Sequence, residues 1–241
     1  VAAPVQLAPG GSLALTGRTV QVAADISAPA GTVSLRTRET RGSTPEMTAA
    51  DHAIEVAQGV HIAARGLWSN DRFAVGNDAL APNAGSITLA SIGDLDLAPG
   101  SVLDVDGSGH IDAKGKLSAG KGGSVSLSVG RFRLSSTGND PQVTQLNLGG
   151  QIHGYSLGQG GTLTVDASKV QIGGAAPADA GTLTLAPEFF SQGGFASYAV
   201  SGQDGVDIAD GTRIAPRTLT LLPETALAGS PSGATDLGTP A

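Results

Sequence analysis

Apolar residues recur at every second position in short bursts along this chain, and six of the bursts begin alike. "GSLAL" (11–15), "GTVSL" (31–35), "GSITL" (85–89), "GSVSL" (123–127), "GTLTV" (161–165) and "GTLTL" (181–185) share one pattern. Each reads glycine, Ser or Thr, aliphatic, small residue, aliphatic. A period of two is that of a half-buried strand, whose alternate side chains face opposite sides. Further alternating runs fill the intervals: "TVQVAADIS", "SIGDLDLA", "SVLDVDG", "TQLNLGGQIHG", "SKVQIGG" and "GVDIADGTRIAP". Clusters of Gly, Pro and Asp punctuate them, as turns punctuate strands. Helical periodicity is nearly absent. The best candidate, "PEMTAADHAIEVA", opens on Pro-Glu, but its tail "AIEVA" alternates like a strand.

The glycines that open the six phrases stand at 11, 31, 85, 123, 161 and 181, at intervals of 20, 54, 38, 38 and 20. Four of the five intervals fit one or two units of about 19–20 residues, the signature of a repeat architecture. The 54-residue interval contains the polar stretch 36–51, and 70–83 and 131–141 also break the pattern. All three read as excursions from the repeat. Near-identical strands at a fixed period favour an all-β solenoid, a parallel β-helix, over a sandwich of fewer and more varied strands. The expectation is one domain over 1–222, with at least eight coils and a Gly/Pro/Ser-rich tail over 223–241. Roughly ten coils at the ~4.8 Å strand spacing would make a rod of about 45–50 Å. Leu13, Leu15, Val33, Leu35, Ile87, Leu89, Val125, Leu127, Leu163, Val165, Leu183 and Leu185 should line the core. Thr88, Ser126 and Thr164 should face outward in polar ladders. Glycine suits the corners, where φ can be positive.

Composition narrows the function. Hydrophobic residues make up 40% of the 241 positions, which argues against disorder, yet aromatics are only 3%, so the core is thin and aliphatic. The net charge of −7 repels phosphate groups, so nucleic acid is not an expected partner. No apolar stretch approaches the ~20 residues of a membrane helix, so membrane insertion is not expected. The absence of cysteine removes disulfides, thiolate catalysis and Cys-based zinc sites. The opening "VAAPVQLAPGG" has neither the basic nor the apolar region of a signal peptide.

No cofactor motif is present. There is no G-x-S-x-G elbow, "GQGG" and "GKGG" do not extend to a P-loop, and His52, His61, His110 and His153 lack zinc-ligand spacing. The sharpest local motif is "DVDGSGHIDAKG" (104–115). Asp104, Asp106, Ser108 and the backbone of His110 take positions 1, 3, 5 and 7 of a calcium loop, with Gly109 at 6 and Asp112 at 9. Position 12 is Gly115 where a bidentate Glu belongs, so Asp104, Asp106 and Asp112 are expected to make at best a weak calcium site. The competing reading is a strand end running into a Gly-rich corner. Phe189, Phe190, Phe195 and Tyr198 crowd ten residues, and Trp68 stands in "GLWSND". These five form a candidate contact patch, or else a loop that folds over the rod and plugs a sheet face.

The tandem "AGSITLASIGDLDLAPGSVLDVDGSG", with "GGSVSLSV" and "GGTLTVDASKVQIGG", resembles the filamentous haemagglutinin family, the exoproteins of Gram-negative two-partner secretion. "RGLWSNDRF" (65–73) and "FFSQGGFASYAVSGQDGVDIADGTRIAP" (189–216) resemble distal segments of large members. The resemblance runs over most of 11–222. It implies a right-handed parallel β-helix, export through an outer-membrane partner, and display at the cell surface or release. It implies work as an adhesin that meets a host or bacterial receptor, or as a rod carrying a toxin in contact-dependent inhibition. The family's "NPNG"-type secretion motif does not occur here, so recognition of the secretion partner is expected to reside outside this chain. Two alternatives remain: an autotransporter passenger, and a carbohydrate-active β-helix enzyme. The enzyme reading would require acidic residues such as Asp94, Asp96, Asp104 and Asp106 to share a groove with a base. A structural, non-enzymatic role is the leading expectation.

Overall fold

The computed structural model describes residues 1–38, 49–73, 82–130, 143–175, 177, 179, 181–217, 219–221, 229, 231 and 232. Alternation becomes strand almost everywhere it was read, and the two helical segments are single 3-10 turns at Ala49–His52 and Pro187–Ser191. The ambiguous "AIEVA" resolves as the strand Ile54–Val56, with its two aliphatics buried.

The longest sheet has six parallel strands: Ser12–Gly17, Thr32–Thr37, Ser86–Ser91, Ser124–Val129, Thr162–Ala167 and Ser197–Gly202. They lie side by side in chain order and in register. One interior row runs Leu13, Val33, Ile87, Val125, Leu163, Tyr198; the next runs Leu15, Leu35, Leu89, Leu127, Val165, Val200. Ser34, Thr88, Ser126 and Thr164 stack between them on the other face, half-buried. The interior rows are buried except on the two edge strands, where Leu13, Leu15, Tyr198 and Val200 are covered from one side only.

Two shorter parallel sheets repeat the same order. One joins Val5–Gln6, Ile26–Ser27, His61–Ala63, Val102–Asp104 and Gln151–His153; the other joins Val20–Val22, Ile54–Val56, Leu95–Leu97 and Leu146–Leu148. Ile26, Ile62 and Leu103 from the first, and Ile54, Val56, Leu95 and Leu97 from the second, join the long sheet's aliphatics in one cluster. Among the described residues no sheet closes on itself.

Three expectations need correction. First, strands of the long sheet begin 20, 54, 38, 38 and 35 residues apart, and each is the direct neighbour of the next. A 38-residue interval is therefore one step, not two units of 19–20, and the stack is six strands deep among the described residues rather than eight or more. The extra length goes elsewhere. Between the third and fourth strands it forms Gly109–Ile111 and Leu117–Ala119, an antiparallel pair on the flank. Second, the sixth phrase does not join the long sheet. "GTLTL" forms Thr182–Leu185, which pairs with Lys169–Ile172 in a separate sheet completed by Val206–Ile208. Its place is taken by "SYAVSG", although Leu183 and Leu185 are still buried.

Third, positive φ at glycine holds in part: Gly10, Gly59, Gly100, Gly115 and Gly211 have it, but the phrase glycines at 11, 31, 85, 123 and 161 do not. They are demanded by proximity. A Cβ added at Gly31, Gly85, Gly123 or Gly161 would collide with the backbone of the preceding glycine in the series. Each carbonyl in the column accepts from the residue after the next glycine: Gly11 from Thr32, Gly31 from Ser86, Gly85 from Ser124, Gly123 from Thr162.

The excursions are only partly described. Arg36 and Thr37 belong to the second strand of the long sheet, and Asn70 to the short strand Ser69–Asn70. Residues 39–48 and 74–81, all of 131–141, and all of the tail except 229, 231 and 232 lie outside the described residues.

Candidate functional site

The strands His61–Ala63, Val102–Asp104 and Gln151–His153 set the geometry of one flank. Each sends its middle residue, Ile62, Leu103 or Ile152, towards the core. Alternation then turns the third residue of each, Ala63, Asp104 and His153, to the outer face, where register makes them neighbours. Parallel pairing continues past the strand ends. Ala64 N–H donates to the Asp104 carbonyl, Gly66 N–H to that of Asp106, Val105 N–H to that of His153, and Gly107 N–H to that of Tyr155. Arg65, Asp104, Asp106, His153 and Tyr155 thus converge from three successive layers.

Their side chains are fixed from below. The Asp104 Oδ1 accepts the Asp106 N–H at 2.9 Å, bending the chain just after the strand. The Asp106 Oδ1 accepts the Tyr155 N–H at 2.7 Å, tying this layer to the next. Arg65 Nε stands 3.4 Å from the Asp104 Oδ2. Asp106 is 8% exposed. One carboxylate oxygen each from Asp104 and Asp106 and one imidazole nitrogen of His153 lie within 4.8 Å of one another. Burial lowers the His153 pKa below its usual value; Asp104 opposes the shift, while Arg65 and His61 add to it. The ring of His153 leans on Tyr155, with centroids 5.6 Å apart.

Of the two readings of 104–115, the backbone follows the strand end running into a Gly-rich corner. Asp104 and Asp106 come together, but Asp112 does not join them. It sits in the turn of the hairpin, where its Oδ1 accepts the N–H groups of Lys114 at 2.9 Å and Lys116 at 2.8 Å. Gly115 has φ +84° and closes that turn. The loop residues are spent on a hairpin rather than wrapped around an ion. The third member of the cluster is His153, which the sequence reading set aside for want of local histidine spacing. The available signal was alignment of two strand-to-corner phrases: "VLDVD" laid over "QIHGY" puts Asp104 beside His153.

The aromatic patch is also corrected. Trp68 is 2% exposed, in a separate cluster with Ile111 and Leu221. Phe190 and Phe195 are buried, and only Phe189 and Tyr198 are partly open. The four rings pack edge-on or tilted, with centroids 5.5–6.1 Å apart, where the aliphatic rows end. Tyr198 O–H donates to the Gln192 carbonyl at 2.6 Å. Burial, aided by Tyr155, pushes the Tyr198 pKa up to about 12. These rings finish a core, with Phe189 and Tyr198 left partly open at its end.

Between the aromatic cluster and the flank lies a cleft of about 940 Å³, lined by Leu148, Ile152, His153, Tyr155, Leu183 and Phe189 among others. His153 and Tyr155 line this cleft, and the carboxylates of Asp104 and Asp106, the Arg65 guanidinium and the His153 imidazole, gathered together, can bind a cation or move a proton. Comparison of the chain with protein-family models, with curated proteins and with solved structures returns no match.

Proposed function

We propose that this chain is a right-handed parallel β-helix serving as a segment of the shaft of a large exported bacterial exoprotein, as its resemblance to the filamentous haemagglutinin family implies. Its work is display at a distance: a rod that carries an adhesive or toxic portion away from the cell surface. The observation that carries the reading is the long sheet, whose six strands follow chain order in register while the connections between them vary from layer to layer. That is how a solenoid grows, each layer contacting only its neighbours. Right-handedness follows from the strong preference of parallel crossover connections. The buried aromatic cluster and the acidic composition agree with a surface built for solubility rather than for one broad apolar contact.

Export through an outer-membrane partner, and a host or bacterial receptor for the parent protein, belong to the same proposal. The test is protease shaving of intact cells that express the full reading frame with an epitope inserted at Gly59, an open turn. Loss of the epitope without lysis supports export and display; an epitope cut only after lysis refutes it.

A carbohydrate-active enzyme stands as the second proposal, supported by two carboxylates, Asp104 and Asp106, gathered beside Arg65 and His153. It predicts release of new reducing ends from acidic polysaccharides, lost in Asp104→Asn and Asp106→Asn. No release from a broad panel would remove it.

A further inference from the structure

We propose that Asp104, Asp106 and His153 bind a divalent transition-metal ion of the zinc class on the outer flank of the five-stranded sheet. The argument does not depend on export or display. The three donors lie within 4.8 Å of one another. Bonds of 2.0–2.1 Å to a tetrahedral zinc place ligand atoms about 3.4 Å apart. Closing the cluster therefore takes about 1 Å of side-chain rotation and leaves the backbone ladder intact.

The donor set selects the ion. Calcium and magnesium take oxygen shells, whereas an imidazole beside two carboxylates suits zinc and its neighbours in the first transition series. Three protein ligands leave a fourth position for water or a ligand from the cleft. The carboxylates are not floating surface acids. Asp106 is 8% exposed, the Asp104 side chain is 14% exposed, and a backbone N–H orients each of them. Such supporting bonds are what hold metal ligands in place.

Arg65 supplies the discriminating feature. Its guanidinium stands 3.4 Å from the Asp104 Oδ2, and its side chain is 38% exposed. It occupies the cation's neighbourhood and can withdraw into solvent. Arg65 is thus a competitor of the metal, and removing it should strengthen binding, the opposite of what a purely structural ion pair predicts.

The experiment is calorimetric titration of the full chain, stripped with chelator, using zinc chloride, with calcium and magnesium chlorides in parallel. The expected result is one zinc per chain, a raised melting midpoint, and no comparable heat with calcium. Loss of an outer-shell partner costs metal sites 10–100-fold, so His153→Gln and Asp106→Asn should each weaken binding by about 100-fold or more. Arg65→Gln should tighten it by about tenfold, and Asp112→Asn should leave it unchanged. Should a ligand variant fail to fold, imidazole nitrogen resonances of the wild-type chain report directly: His153 should shift on zinc addition and His52 and His110 should not. No zinc binding by either wild type or Arg65→Gln, zinc binding that leaves the His153 resonances unmoved, or tighter binding of calcium than zinc would each overturn the proposal.

Discussion

Replacing Gly85 by alanine tests the physical basis of the repeat. An added Cβ would lie 2.7 Å from both the nitrogen and the carbonyl carbon of Gly31, and closer still to its oxygen. Ordinary contact begins near 3.4 Å and the Gly31 oxygen would be only 1.7 Å away, so the two backbones must part by about 1.7 Å. The Ser86 N–H reaches the Gly31 carbonyl at 2.9 Å, so a movement of that size takes the bond well beyond hydrogen-bonding length. A displacement this large puts overpacking at the upper end of its usual range, about 2–3 kcal/mol, and the lost bond adds about 1 kcal/mol. The smaller freedom of alanine in the unfolded chain returns only about 0.4–1 kcal/mol. The net loss is about 2–4 kcal/mol. At roughly 2–4 °C per kcal/mol for a chain of this size, the midpoint should fall by about 5–15 °C. The control is Gly59→Ala, where φ is +74° and nothing lies within 4 Å of the added carbon. There the cost is conformational alone, about 1–2 kcal/mol. Thermal melts followed by circular dichroism of both variants and the parent give the comparison. A Gly85→Ala midpoint within about 2 °C of the parent, or below which Gly59→Ala falls further, would refute the close-approach account.

Leu127 sits fully buried in mid-sheet, so Leu127→Ala should cost about 2–5 kcal/mol, whereas Leu13→Ala on the half-covered edge strand should cost clearly less; urea titration ranks the two. Ser91 is buried, meets the Thr37 hydroxyl at 3.1 Å and donates to the His52 carbonyl at 2.7 Å. Ser91→Ala should therefore cost about 1–3 kcal/mol through the groups it leaves unpaired, and Ser91→Thr tests whether the hydroxyl alone is needed. The phenol of Tyr198 titrates at about 12 when folded against about 10 unfolded, so the folded state holds more protons across that window and stability declines as pH rises through it. Tyrosinate absorbance should thus lag free tyrosine until alkaline unfolding, and Tyr198→Phe should flatten the decline; a tyrosinate curve centred at 10 in the folded chain would contradict the burial.

Strand, face and interior were legible because alternation is a local property. Val33, Leu35, Ile87, Leu89, Val125, Leu127, Leu163 and Val165 are all buried, as their position in the phrase predicts. Stacking depth was not legible, because 38 residues is numerically twice 19 while the chain uses the surplus for a hairpin on the flank. The fate of "GTLTL" was not legible either. It begins 20 residues after its predecessor, the same interval that separates the first two phrases, so spacing cannot tell a long-sheet strand from one in another sheet. Positive φ explains turn glycines such as Gly10, Gly59 and Gly100, but the reason for the phrase glycines was not legible, since steric contact between layers leaves no mark within a single layer. The Asp104–Asp106–His153 cluster was half visible: the aspartates are neighbours in sequence, and the histidine becomes their neighbour only through pairing across 49 residues. The aromatics were visible as a cluster, and their burial was one of two readings until the core was seen to end on them.

Paired residues 20 and 54 positions apart in the chain hold the same register. Loop-closure entropy grows only with the logarithm of length, so the difference costs about 0.9 kcal/mol, less than one buried leucine. The strands are therefore aligned by what they touch and not by the tether between them. Material can enter or leave at the corners between generations without resetting the ladder, which makes those corners the natural grafting points for foreign epitopes and the places where related chains should differ most in length.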